Sequence, residues 1–333
     1  MKIGFHGRFA AIFALALAGF QIRADQPVET GPPDIVSHRI KDSSEAGILT
    51  GSTSATKQTI LYHNGPVMAQ PNVYVIWYGN WNQANNTDTA AGQQIIRDFL
   101  NAVGGSPYFA INTTYSTTAT PINGKVTFAG ETTDAGSQGT KLTDSTVKTV
   151  VSTAINNHSL PSDINGVYFV LTSSDISESS GFCKNYCGWH THGSVNSADI
   201  KYSFIGNSAK CLNACAAQTN SPNANPGVDG MCSVIAHELE EATTDPDLNA
   251  WYDRQGQENA DKCAWTFGQN QYQTANGAWA NMGWDYFDAT TGLVAYHRDF
   301  LIQRNLLRTK NSNGTEADYC ATSYDPVTKT FRQ

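Results

Sequence analysis

Residues 72–78, with the sequence N-V-Y-V-I-W-Y, decide the fold class, because they are a run of β-branched and aromatic residues that Gly79 closes. An apolar run of this length, bounded by a turn residue, is typical of a strand buried inside a sheet. Comparable runs predict three further strands. These runs cover residues 125–129, 167–172 and 201–205.

Two segments between these strands carry apolar residues at helical spacing. They span residues 87–103, which end before Gly104 and Gly105, and residues 144–156. Strands that alternate with helices indicate layers of helices packed on a largely buried sheet. The sequence therefore predicts an α/β fold with a central mixed sheet and flanking helices.

The segment His237-Glu238-Leu239-Glu240-Glu241 carries the chemistry. It has the form H-E-x-x-E, one residue away from the zincin signature H-E-x-x-H. On a helix His237 and Glu241 leave the same face one turn apart, and both are ordinary zinc ligands. Glu238 would lie beside the metal, where it could take a proton from a bound water. The pattern predicts a zincin-like metal-bearing helix, although solvated helices also produce such a run of common residues by chance.

The predicted metal-bearing helix begins near Asp229 or Gly230 and stops near Thr244-Asp245, because Pro246 disfavours helical geometry in the residue before it. A loop rich in carboxylates follows this helix and could turn back to supply further ligands. Two interpretations compete with a zinc site there. The acidic residues could be solvated loop charges, or their oxygens could hold Ca²⁺, which prefers such ligands.

Three acidic residues in and near that loop are the candidate additional ligands. Glu258 and Asp261 lie far enough beyond His237 for either of them to return as the third metal ligand. Asp245, directly after the helix, is a further candidate for the site.

His190 and His192 form an H-x-H pattern, which on a strand places both rings on one face, as a metal site needs. We expect His190 to be the additional metal or site residue of the two. The competing interpretation is a hydrogen-bonded pair close to a disulfide loop. His63 precedes an N-G-P turn and is predicted to have a structural role.

The beginning of the chain predicts export. Basic residues precede an unbroken apolar run over residues 9–20, which is typical of a signal peptide and too short to span a bilayer. We expect residues 1–24 to be the signal peptide and residues 25–58 to be a polar linker, a propeptide or an extended arm. Residues 59–333 then form the α/β domain. A net charge of −8 without a run of Lys or Arg argues against nucleic acid or an anionic membrane as partner.

Seven cysteines fit an oxidising compartment. The four upstream cysteines predict two disulfides whose connectivity the spacing leaves open, and a structural zinc on the same four is the competing interpretation. A disulfide between Cys263 and Cys320 would link the carboxylate-rich loop after the predicted helix to the C-terminal part of the chain, which is otherwise predicted to be irregular. Cys232 remains as a buried free thiol. The four upstream cysteines are Cys183, Cys187, Cys211 and Cys215.

Four ordered motifs between about residue 60 and about residue 325 resemble the EXORDIUM / phosphate-induced protein 1 family. The resemblance implies a secreted or cell-wall protein, and in plants the family is tied to growth promotion through the apoplast. Plant members have an apolar stretch where this chain has residues 237–241, so the metal hypothesis depends on this chain's residues alone. This chain looks more like microbial relatives that carry H-E-x-x-E. The motifs are residues 62–68 (Y-H-N-G-P-V-M), 73–79 (V-Y-V-I-W-Y-G), 181–188 (G-F-C-K-N-Y-C-G) and 227–231 (G-V-D-G-M).

Two functional hypotheses follow. The first is a secreted zinc peptidase, in which Glu238 acts as general base on a metal-activated water and the substrate is a peptide or protein. The second is a non-catalytic extracellular or cell-wall binding or growth-signalling protein with a structural metal ion, for which the alternative to Zn²⁺ is Ca²⁺ held by the carboxylate cluster and His237. In the second hypothesis four tryptophans offer stacking surface to cell-wall polysaccharide. They are Trp251, Trp265, Trp279 and Trp284.

Overall fold

The structure, a computed structural model, describes residue 1, residues 35–41 and residues 59–333. The predicted signal peptide lies outside the described residues apart from Met1, as does most of the predicted linker.

The helices are α1 (Ala90–Val103), α2 (Asp144–Asn156), α3 (Leu212–Cys215) and α4 (Pro226–Thr244). Short 3-10 helices cover Phe109–Tyr115, Ser208–Lys210 and Asp261–Cys263. The strands are β1 (Val36–Arg39), β2 (Leu61–Tyr62), β3 (Asn72–Tyr78), β4 (Thr127–Asp134), β5 (Lys141–Leu142), β6 (Gly166–Thr172), β7 (Ser177–Glu178), β8 (Tyr186–Val195), β9 (Ala198–Ile205), β10 (Trp251–Tyr252), β11 (Tyr272–Gln273), β12 (Trp279–Ala280), β13 (Met282–Phe287), β14 (Val294–Phe300), β15 (Asn305–Leu307), β16 (Tyr319–Ala321), β17 (Ser323–Asp325) and β18 (Thr330–Arg332).

A six-stranded mixed sheet forms the centre of the domain, with the spatial order β1-β8-β9-β6-β3-β4. The strands β4, β3, β6 and β9 are parallel, whereas β8 runs antiparallel to β9 and β1 runs antiparallel to β8. The predicted α/β class with a central mixed sheet is therefore confirmed. Strand β3 lies between β4 and β6, and all its residues after Asn72 are buried, which explains its continuous apolar sequence.

The predicted elements agree with the structure where the local sequence carries a cap. Helix α1 begins after Thr89, whose side chain accepts a hydrogen bond from the backbone of Gly92, and α2 begins after a capping box at Thr143. Strand β4 differs, because it is longer than predicted and starts two residues later than residue 125. It is an edge strand with alternating exposure, so pairing with β3 and not an apolar run defines it.

Helix α4 crosses the interior of the domain, and every residue after Pro226 is buried. The helix starts earlier than the predicted Asp229 or Gly230, because Asn225 caps the backbone of Val228 and Pro226 suits the first turn. It ends at Thr244, as the following proline predicts. It packs against β8, β9, β1 and α1, among other elements, so its polar residues meet groups that other segments of the chain bring into the interior.

The C-terminal part is more regular than predicted, because after Cys263 the chain forms paired short strands: β11–β12, β13–β14, β15–β16 and β17–β18. Several of these strands are half exposed, which weakens the periodicity that would reveal them.

The predicted bridge between Cys263 and Cys320 is confirmed, and Cys232 is a buried free thiol as expected. None of the described helices has the length and apolar character that crossing a membrane requires.

The four upstream cysteines form two disulfides, so the competing interpretation of a structural zinc on them is wrong. The two bridges connect different C-x-x-x-C pairs and do not close either pair on itself. They are Cys183–Cys211 and Cys187–Cys215. Both tie the start of β8 to the segment just before α4, and they therefore hold the sheet close to the central helix.

Candidate metal centre

The helical spacing of His237 and Glu241 brings their side chains into contact. Nε2 of His237 lies 3.1 Å from Oε1 of Glu241, one turn further along α4. Both residues are fully buried. Neighbouring imidazole and carboxylate groups on one helical face are the arrangement that the H-E-x-x-E pattern predicts.

Strand β8 supplies a second histidine to the same place. Nδ1 of His190 lies 3.0 Å from Oε2 of Glu238 and 3.6 Å from Oε2 of Glu241. The predicted additional residue His190 therefore joins the site. His192 does not join the site, because its Nδ1 pairs with Oδ1 of Asp199 at 2.8 Å.

The carboxylate loop after α4 turns back to the helix, and both candidates for the third ligand arrive together. Oδ1 of Asp261 lies 3.6 Å from Nε2 of His237, and Oε2 of Glu258 lies 3.8 Å from Nε2 of His190. The backbone N–H of Asp261 donates to Oε1 of Glu241, which anchors the loop to the helix. We call the assembled group the His/carboxylate cluster. Its members are His190, His237, Glu238, Glu241, Glu258 and Asp261.

Burial dominates the electrostatics of the cluster. It raises the pKa of Glu238 to about 8 and the pKa of Asp261 to about 7. Burial, followed by the charges of nearby carboxylates, raises the pKa values of Glu241 and Glu258 well above the usual range. It also lowers the pKa of His190, which favours the neutral imidazole that a metal needs. Carboxyl groups in such surroundings must either keep a proton or bind a cation.

Several polar atoms of the cluster have no hydrogen-bond partner among the described residues, although they are buried. These atoms are Nε2 of His190, Nε2 of His237, Oε2 of Glu241, and both Oε1 and Oε2 of Glu258. Buried polar groups normally find partners, because each group left alone costs about 1–3 kcal/mol. Bound metal would give such atoms a partner, so the donor set fits a metal.

The chemistry of the donors favours zinc over calcium. Imidazole nitrogen is a common ligand of Zn²⁺ and other transition metals, whereas Ca²⁺ takes oxygen ligands almost throughout. Two groups of three side chains have ligand atoms close enough together to share an ion. They are His190, Glu238 and Glu241, and His237, Glu241 and Asp261.

Sequence reasoning missed two residues that support the cluster. The ring of His38 on β1 stacks on the ring of His237 with centroids 4.1 Å apart, and its backbone N–H donates to Oε1 of Glu238 at 3.2 Å. The side-chain amide of Gln303 lies 2.9 Å from Nδ1 of His237, where a supporting group orients a metal-binding imidazole. On β1, Val36 and His38 are buried and Ser37 between them is partly exposed. This alternation is the local sign that the His38 ring faces the interior, where it meets His237.

The remaining predicted residues have structural positions. Oδ1 of Asp245 accepts the backbone N–H groups of Asn249 and Ala250, each at 2.6 Å, so Asp245 holds the turn after α4. Burial raises the pKa of Asp245 to about 6. The ring of His63 stacks on Tyr252, in agreement with the structural role predicted for it.

Two of the four tryptophans predicted to form a polysaccharide surface are not available. Trp251 and Trp265 belong to the buried core, because β10 and the segment after Cys263 pack inward. Trp279 is exposed and Trp284 is half-buried. The prediction of a four-tryptophan surface is therefore wrong for the first two residues.

The fold and the cluster together define a disulfide-bonded, mixed α/β protein whose central helix contributes to a largely buried set of histidine and carboxylate side chains. The sequence model of the family described as "Phosphate-induced protein 1 conserved region" matches residues 60–303. The chain therefore belongs to the EXORDIUM / phosphate-induced protein 1 family.

Curated relatives agree with this assignment. The chain is 32% identical over 300 residues to "Protein EXORDIUM-like 3" of Arabidopsis thaliana, covering 80% of this chain and 85% of the relative. It is 35% identical over 221 residues to "Protein EXORDIUM-like 5" of the same plant, covering 57% and 59%. It is also 28% identical over 189 residues to "Protein PHOSPHATE-INDUCED 1" of Nicotiana tabacum, covering 49% and 53%. No solved structure matches the chain.

Proposed function

We propose that this chain is an extracellular, non-catalytic binding protein whose scaffold is stabilised by zinc in the His/carboxylate cluster. The observation that carries the proposal is the closure of the cluster. His237, Glu238, Glu241 and Glu258 are each 0% exposed, the side chain of Asp261 is 15% exposed, and strand β1 contacts His237 and Glu238. A catalytic zinc keeps a coordination position open to water and substrate, whereas a structural zinc is enclosed by its ligands.

The ion would act as a cross-link between parts of the chain that are far apart in sequence. His190 belongs to β8, His237 and Glu241 belong to α4, and Glu258 and Asp261 belong to the loop beyond it. Zinc bound to these residues would fasten the sheet, the central helix and the loop to one another. Metal ligands that form only in the folded state convert binding free energy into folding stability.

Export is the second part of the proposal. The three disulfides require an oxidising environment to form and persist, which is typical of extracellular proteins. The predicted signal peptide supplies the route out of the cell.

We assign the binding function to a surface cavity of about 320 Å³ beside the C-terminal strands. Tyr272 and Trp284 contribute aromatic rings to its wall, and Asn270 and Arg332 contribute hydrogen-bond donors. Its volume is at the lower end of the range of about 300–1,000 Å³ for ligand sites. Aromatic faces with neighbouring amide groups suit sugar rings, which have apolar faces and hydroxyl edges. We therefore propose cell-wall polysaccharide as the ligand class.

Substituting Tyr272→Ala is expected to weaken polysaccharide binding roughly tenfold, because it removes a half-exposed ring from the cavity wall. The measurement is calorimetric titration against a panel of soluble neutral and acidic wall polysaccharides. Trp279→Ala is the matched control, since Trp279 is comparably exposed but does not line the cavity. Equal affinities of Tyr272→Ala and the unmodified protein, or no binding to any member of the panel, would contradict the assignment.

A latent metallohydrolase is the second candidate, and the position of β1 favours it. This strand pairs with the sheet only through β8, at its edge, and places His38 over the ring of His237. Displacing it would expose Glu238, the predicted general base, beside the metal. The non-catalytic proposal expects no cleavage of a peptide library by the zinc-loaded protein. Cleavage that a chelator stops, and that Glu238→Gln abolishes while zinc stays bound, would establish the hydrolase instead.

A further inference from the structure

The carboxylate of Glu241 faces two histidines from opposite sides. Its Oε1 lies 3.1 Å from Nε2 of His237, and its Oε2 lies 3.6 Å from Nδ1 of His190. The two oxygens of one carboxylate therefore belong to two different groups of ligand atoms. Such an arrangement is that of a carboxylate bridging two metal ions.

We propose that the His/carboxylate cluster holds two zinc ions bridged by Glu241. This inference rests on the proposed function, because it adds a second ion to the metal site assigned there. The first ion takes His190, Glu238 and Oε2 of Glu241. The second takes His237, Asp261 and Oε1 of Glu241.

The spacing of the donor atoms fits both positions. Ligand atoms around a tetrahedral zinc with bonds of about 2.0 Å lie about 3.3 Å from one another. The measured distances are 3.0 Å and 3.6 Å from Nδ1 of His190 to Glu238 and Glu241, and 3.1 Å and 3.6 Å from Nε2 of His237 to Glu241 and Asp261.

The cluster contains four acidic side chains. Glu238, Glu241, Glu258 and Asp261 would together carry four negative charges when ionised. Within residues 35–41 and 59–333, no ion pair joins any of them to a lysine or arginine; the nearby Lys262 pairs with Asp253 instead.

Glu258 is the remaining member of the His/carboxylate cluster. Both of its carboxylate oxygens are buried and lack a hydrogen-bond partner among the described residues, and Oε2 lies 3.8 Å from Nε2 of His190. The carboxylate is therefore a buried acidic neighbour of His190, but it belongs to neither of the two groups whose ligand atoms lie close enough together to share an ion.

The number of zinc ions per chain tests the inference. The secreted full chain is stripped with a chelator, reloaded with zinc chloride, passed through a desalting column and analysed for metal and protein. We expect two zinc ions per chain in the unmodified protein. His190→Ala and His237→Ala should each retain one, and the control His192→Ala, on the same strand as His190 but outside the cluster, should retain two.

A stoichiometry of one in the unmodified protein would overturn the second ion and leave the proposed structural zinc in place. A stoichiometry of zero would overturn both proposals. Because the unmodified chain decides the matter, a variant that fails to fold does not weaken the test. Loading with Mn²⁺ gives a second measurement, since a bridged pair is expected to show the spectrum of coupled ions in electron paramagnetic resonance, and isolated Mn²⁺ would contradict the bridge.

Discussion

His237→Ala is expected to lower the free energy of unfolding by roughly 3–5 kcal/mol and to reduce bound zinc. His237 contacts Glu241 and Asp261 and stacks on His38, so its loss removes a ligand and leaves carboxylates buried without a partner. Urea unfolding followed by tryptophan fluorescence measures the stability, and elemental analysis of the same sample measures the zinc.

The matched control for this substitution is His297→Ala. His297 also lies between two carboxylates, those of Asp285 and Asp299, but on the half-exposed hairpin β13–β14. Solvent screens these pairs, so we expect a loss below about 1 kcal/mol and no change in zinc content. Equal destabilisation by the two substitutions would show that the cluster contributes no more than surface ion pairs do.

Removing zinc is expected to reverse the dependence of stability on pH. Without metal, burial raises the pKa of Glu238 from 4.5 to about 8 and the pKa of Asp261 from 3.8 to about 7. These folded-state pKa values lie above those of the unfolded chain. The protonated carboxyl groups therefore stabilise the fold of the zinc-free protein, and this contribution is fully present below about pH 4. The zinc-free protein then loses stability, on the order of several kcal/mol, as the pH rises through 7 to 8.

The zinc-loaded protein should behave in the opposite way, since its ligands must be deprotonated and protons compete with the metal as the pH falls. The measurement is the unfolding midpoint between pH 4 and pH 8, with zinc and with chelator. Glu238→Gln is the control, because a neutral side chain at this position should flatten the curve of the zinc-free protein. Parallel curves with and without zinc would contradict this account of the cluster.

The parts of the fold that the sequence predicted are those in which local pattern and final burial coincide. Strand β6 is buried along its whole length and α2 carries its own capping box, so a few neighbouring residues define each of them. Strand β1 could not be predicted in this way, because it is defined by pairing with β8, where Val36 lies opposite His190. The short C-terminal hairpins also depend on partners, since a half-exposed pair of strands shows only weak alternation.

The residues of the candidate site were likewise predictable only where the local sequence pattern determines their position. His237 and Glu241 follow from helical spacing, and Glu258 and Asp261 from the length of chain available for a return. The contacts of His38 and Gln303 with the site could not be predicted, because each of these residues reaches His237 from a distant segment of the chain. The closure of the cluster, which separates a structural ion from a catalytic one, is likewise a property of packing and not of any motif.

Unfolding of the secreted protein before and after zinc removal is the decisive test of whether zinc in the His/carboxylate cluster stabilises the fold. We expect the protein to be purified with zinc, chelation to lower its unfolding midpoint, and zinc but not calcium to restore the midpoint. A protein that is secreted without bound metal, and whose unfolding midpoint neither chelator nor zinc alters, would contradict this role of zinc.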